Sequence, residues 1–142
     1  MKAMEHYLVI RTRDELLRVN IGKILYFEAD KAYTKLLLSG GLQFTISLNI
    51  GKIEAMLERQ ITGSTAILSR VGKSHIINKN HILQINVPKQ RLLLLAGEGK
   101  PRELTFPREP LKTLKESMER ELEQTEVRNQ EENEAQDWEG EG

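Results

Sequence analysis

Two short apolar runs, Tyr33–Leu38 and Leu42–Ile46, flank Ser39-Gly40-Gly41. This pattern constrains the fold more than any other feature of the chain. A tight hairpin turn needs residues at positive φ, and paired glycines adopt it without strain. The same grammar recurs along most of the sequence. Tyr7–Arg11, Leu16–Ile21 and Ile24–Glu28 read as strands before the hairpin. After it, strand character resumes at Ala66–Ser69 and continues through His75–Asn78. Ile82–Val87 alternates with period two, and Arg91–Leu95 is continuously apolar, which predicts burial on both faces. Gly97-Glu98-Gly99 reads as a turn that returns Arg102–Phe106 as a hairpin partner. Pro107 and Pro110 end the sheet, since neither has an N–H to give to a ladder.

Two stretches change period. Ser47 or Asn49 can cap a short helix carrying Ile53, Met56 and Leu57, which ends near Gly63 and packs on a sheet. Pro110 suits the first turn of a second helix. Leu111, Leu114, Met118 and Leu122 mark one face of it, and the stripe fades beyond Gln124. No internal repeat is visible. The expectation is a mainly β domain over residues 1–124 and an acidic, disordered tail over residues 125–142.

The net charge of zero hides an asymmetry. Residues 1–115 hold 19 Lys and Arg against 10 Asp and Glu, and residues 116–142 hold 2 against 11. A basic body of nine excess positive charges thus carries a tail of equal and opposite charge. That balance fits a nucleic-acid partner, whereas the bland reading makes the tail a solubility device. A sharper reading has the tail fold back on the basic loops and compete with DNA.

There are no cysteines, which excludes disulfides, thiolate chemistry and Cys-based zinc sites. The first apolar run is too short for a signal-peptide core or a membrane span, so a cytoplasmic protein that does not insert into membrane is expected. Enzymatic patterns are missing too. His6, His75 and His81 make no zinc motif, and neither Ser69 nor Ser74 lies in a nucleophile elbow. Gly97-Glu98-Gly99-Lys100 lacks the spacing of a phosphate loop. No catalytic residue, metal or cofactor is expected.

The chemistry concentrates in Ser69–Ile82, where Arg70, Lys73, Ser74, His75, Asn78, Lys79 and Asn80 interleave with apolar residues. A strand–loop–strand unit of this kind can carry phosphate and base contacts into a DNA groove. This segment, Arg70-Val71-Gly72-Lys73-Ser74-His75-Ile76-Ile77-Asn78 with Ile82, resembles a signature of LytTR-type DNA-binding domains of bacterial response regulators. So does Ile24-Leu25-Tyr26-Phe27-Glu28-Ala29-Asp30-Lys31-Ala32-Tyr33. Ser47-Leu48 with the helix through Leu57, and Pro107-Arg108 before the last helix, are similar to the family's two remaining motifs. Order and spacing are kept over about residues 7–122. Gly72 and Pro107 depart from the family's usual His and Ser.

The resemblance implies an elongated set of packed antiparallel sheets that contacts DNA through loops, with one short helix on the sheet and a C-terminal helix. It places candidate DNA contacts at Lys31, Tyr33, Thr34 and Lys35, at Arg70, Lys73, Ser74, Asn78 and Lys79, and at Arg108. Lys73 and Arg108 are the candidate base readers, because an Arg fork bonds guanine O6 and N7 together. Lys31, Lys35 and Lys79 suit phosphate, which positions without specifying. The bland rivals are a solvated turn lysine, a surface arginine at a helix start, and an Asn78 that merely holds its turn.

The resemblance also implies a transcription regulator on promoter DNA with direct repeats, acting as a dimer, with an inhibitory membrane protein as a further partner. The family's usual receiver domain has no counterpart here, so the expectation is either a stand-alone regulator or a fragment of a longer one. The rival function is a protein-interaction module that kept the fold but lost DNA reading, which Gly72 and Pro107 favour.

Overall fold

A computed structural model describes residues 6–61, 63, 67–97 and 100–140, with backbone only at residues 128 and 132–140. The fold is mainly β. Three antiparallel sheets stack on one another, and the largest is in the middle. Strands β1 (Tyr7–Arg11) and β2 (Leu16–Asn20) form a two-stranded ribbon. The five-stranded sheet has the order β5-β4-β3-β7-β6, from β3 (Ile24–Asp30), β4 (Tyr33–Leu38), β5 (Gln43–Ile46), β6 (Leu68–Val71) and β7 (His75–Asn78). The third sheet has the order β10-β9-β8, from β8 (Ile82–Asn86), β9 (Arg91–Leu95) and β10 (Pro101–Thr105).

The central sheet divides the core in two. Strand residues alternate faces, so successive apolar residues feed opposite sides. Phe27, Leu36, Ile46 and Ile76 join Leu8, Ile10 and Val19 of the ribbon and Ile53 and Leu57 of helix α1 (Ile50–Gln60). Leu25, Tyr26, Leu37 and Ile77 face the other way, onto Leu92, Leu94, Phe106, Leu111 and Leu114. Tyr26 and Phe27 are therefore both core, in separate cores. The register shift between Ile24 and Tyr26 lets Leu25 and Tyr26 enter the same core despite being neighbours.

Asn49 is the cap of α1, its side chain accepting from Lys52 N at 2.9 Å. The strand–loop–strand unit expected from Ala66 through Asn78 is two strands joined by the turn Gly72-Lys73-Ser74. Its first residue, Ala66, lies outside the described residues, as do Glu98 and Gly99 of the predicted glycine turn. Arg91–Leu95 is not buried on both faces: Leu92 and Leu94 are core while Leu95 is exposed, because this sheet has only one partner layer.

Helix α2 (Arg108–Gly140) runs across the boundary expected near Gln124 and through the segment expected to be disordered. Low hydrophobicity suggested a tail without structure. The same residues, rich in Glu and free of Gly and Pro until Gly140, include many good helix formers. Leu111 and Leu114 are buried and Met118 half-buried, but Leu122 is exposed.

A repeat that the sequence reading missed joins the sheets. Asn20 and Asn78 each cap a single 3-10 turn, Ile21–Lys23 and Lys79–His81, and each turn delivers the chain into a strand that opens Ile-Leu. Both of those strands shift register just after the Ile, at Ile24/Tyr26 and Ile82/Gln84. The two corners also bond to each other. Asn78 Nδ2 donates to Ile21 O (3.3 Å) and Ile24 O (2.8 Å), and His81 Nε2 donates to Gly22 O (2.8 Å).

Candidate nucleic-acid interface

Three connections meet at one end of the central sheet. The first is Lys31-Ala32 between β3 and β4, where Asp30 pairs with Tyr33. The second is Gly72-Lys73-Ser74 between β6 and β7, tied to the end of β3 by Ala29 N donating to Ser74 O at 2.7 Å. The third is Phe106-Pro107-Arg108, between β10 and α2. Phe106 packs edge-on against His75, with ring centroids 4.8 Å apart. A Cβ on Gly72 would lie 3.7 Å from Pro110, so the second and third connections touch.

Lys31, Lys73 and Arg108 are exposed here and form no ion pair among the described residues. Tyr33 is exposed, and Lys35 is half-buried in a 3.8 Å pair with Asp30. Lys31 has a φ of 58°, a left-handed conformation that a β-carbon disfavours. Gly72 has a φ of 63°, so glycine at this turn has a conformational reason independent of any loss of function.

Arg70 is not free. It donates to Glu54 of α1 at 3.2 Å and to Lys73 O at 2.8 Å, which closes the turn beneath Lys73. Its role is to hold the turn. Three other sequence candidates are buried. Thr34 is fully buried and donates to Leu48 O at 2.8 Å. Asn78 is fully buried in the corner described above. Lys79 is buried and pairs with Glu121 of α2, so its charge faces a carboxylate rather than solvent. Asn78 and Lys79 lie in a polar stretch that reads as surface and Thr34 in an apolar run, and each falls on an inward-facing position or beneath α2.

Under the turns lies a network that the sequence did not reveal. His75 is buried between Tyr26 and Phe106. Its Nε2 lies 3.1 Å from Glu28 Oε2 and its Nδ1 2.6 Å from Ser74 Oγ. A carboxylate only accepts, so we assign the neutral ring proton to Nε2 and let Nδ1 accept from the Ser74 hydroxyl. That commits the Ser74 proton inward and leaves its oxygen only lone pairs, which repel phosphate. Burial lowers the His75 pKa, and the Glu28 carboxylate raises it in part. Only the cross-strand pairing of Glu28 with His75 brings these residues together, and 47 positions of sequence separate them.

Among the described residues no cluster could hold a metal ion, and no helix is long and apolar enough to cross a membrane. The model of the LytTr DNA-binding domain matches residues 14–119, about three quarters of the chain. The chain belongs to the LytTR DNA-binding domain family. That family is one of DNA-binding domains rather than of enzymes. A solved LytTr DNA-binding domain, from a putative methyl-accepting/DNA response regulator of Bacillus cereus, is 22% identical. The match covers 72% of this chain and 88% of that one, with a TM-score of 0.48. No curated protein matches the chain.

Proposed function

We propose that this LytTR domain is a sequence-specific transcription regulator that lays its three clustered connections on double-stranded promoter DNA. The observation that carries this reading is the convergence of the Lys31, Lys73 and Arg108 connections at one sheet end, each offering an exposed, unpaired cation. Arg108 and Lys73 enter the major groove and read bases, since a fork or an ammonium matches the O6 and N7 acceptors of guanine. Lys31, Tyr33 and Lys35 bind phosphate and set the register. Thr34, Asn78 and Lys79 make no DNA contact and build the scaffold instead, while Arg70 and the Ser74–His75–Glu28 network set the height of the second turn. Two copies on one face of a duplex take half-sites about one helical turn apart.

Fluorescence anisotropy against the chain's own upstream DNA and a scrambled duplex, at two salt concentrations, tests this. Arg108→Ala and Lys73→Ala each cost about 1–3 kcal/mol on the specific duplex and narrow its advantage over the scrambled one. Lys31→Ala weakens both duplexes alike and lowers the salt slope by about one. Lys79→Ala leaves the slope unchanged. Binding that ignores Arg108→Ala and Lys73→Ala would assign the DNA surface elsewhere.

A further inference from the structure

A second surface lies away from the three connections, on the ribbon side of the central sheet. Val9, Leu16 and Met56 floor an open groove of about 400 Å³ between the ribbon and α1, and Arg11, Arg59 and Gln60 border it. Gln60 is spent on bridging Val9 N and Val9 O at 2.9 and 2.6 Å. Arg11 and Arg59 are exposed and pair with no carboxylate among the described residues. Leu16 is 61% exposed, the highest value of any large apolar side chain among the described residues. An apolar floor between two idle guanidinium groups suits a segment that alternates apolar and acidic side chains.

The chain carries such a segment. Beyond Met118, helix α2 leaves the core with Leu122 and Val127 both more than half exposed. At about 100° per residue, Leu122, Glu126, Glu123 and Val127 fall in that order around roughly 140° of one helix face. Glu123 and Glu126 form no ion pair among the described residues, unlike Glu119 and Glu121 nearer the core. The groove and the helix therefore match in both apolar content and charge.

They cannot meet within one molecule. Helix α2 packs on the core formed with β9, and the Lys79–Glu121 pair holds it there. The groove opens beside the other core, and the five-stranded sheet stands between them. We infer that the acidic overhang of α2 in one copy docks in the Arg11–Arg59 groove of a second copy. The contact joins two unlike patches, so it is heterologous and runs head to tail.

A charge-swap series on the full-length chain, read by sedimentation velocity without DNA at low and high salt, tests this. The wild-type chain self-associates and dissociates as salt rises. Arg11→Glu with Arg59→Glu weakens association by on the order of tenfold or more, because like charges then face each other. Glu123→Arg with Glu126→Arg does the same. An equimolar mixture of the two variants associates again with the copies alternating, since the retained and the swapped contacts both pair opposite charges, and combining all four substitutions in one chain restores association. A wild-type chain that stays monomeric at low salt, or variants that fail to complement, would overturn the inference. With DNA absent, the outcome is independent of whether the three connections read bases.

Discussion

Asn78 has the most demanding position of any single residue. It is fully buried and spends its amide on two carbonyls and on Asn80 N, which donates to its Oδ1 at 3.0 Å. Asn78→Ala removes these bonds from a buried corner, where Ile21 O keeps only the Ile24 N–H, and should destabilise the fold by roughly 1–3 kcal/mol, read from urea midpoints. Sequence reasoning identified the local half of this role, the holding of the 79–81 turn. The long-range half was invisible, because Ile21 and Ile24 are more than fifty positions away. His75 yields a second prediction. Its folded pKa lies below its unfolded value of about 6.5, so the unfolded chain takes up the proton first. His75 therefore contributes stability that is complete above about pH 6.5 and is lost as pH falls through its lowered folded value. Thermal melts between pH 7.5 and 5 should show this loss, and His75→Gln should flatten it. An equal loss in the variant would assign it to other groups.

Among the elements, strands were the most legible, because short apolar runs between glycine and proline signals have few other readings. The hairpin from Tyr33 to Ile46 and the Asn49 cap appear where the pattern put them. The loop within residues 66–78 was legible, but its exact extent was not. Gly72 alone turns the chain there, and a single glycine is a weak mark beside the Gly40-Gly41 pair. Gly72→Ala forces a β-carbon into left-handed backbone and should cost about 1 kcal/mol. It should also loosen DNA binding by displacing Lys73, whereas Gly41→Ala, at a hairpin remote from Lys73, should affect stability alone. Equal DNA affinity for the two variants would remove the second connection from the interface. Helix α2 follows a different rule. Polarity tells whether a segment can bury surface, not whether it can coil, and the backbone beyond Gln124 is helical through Gly140.

For the whole molecule, the direction of α2 decides what the acidic residues can do. The helix starts at the basic connections, passes Gly72 at Pro110, and reaches Lys79, beyond the far end of β7, at Glu121. The acidic overhang therefore leaves from the pole opposite the three connections. Competition with DNA within one chain would require the helix to unwind. At a Debye length of about 8 Å in physiological salt, charges on the overhang hardly reach the connections. Replacing Glu131, Glu132 and Glu134 by Gln should raise DNA affinity slightly at low salt and leave it unchanged near 0.15 M. A large gain at both would revive the fold-back reading.

The paired asparagine corners bear on how this molecule comes apart. One amide bonds the carbonyls at the start of the central sheet from the turn that launches the third sheet, so neither layer can peel away while the other keeps its shape. Backbone amides of β3, β7 and β8 should then exchange with deuterium at one shared rate, and loss of structure should be a single event rather than a sequence of layers.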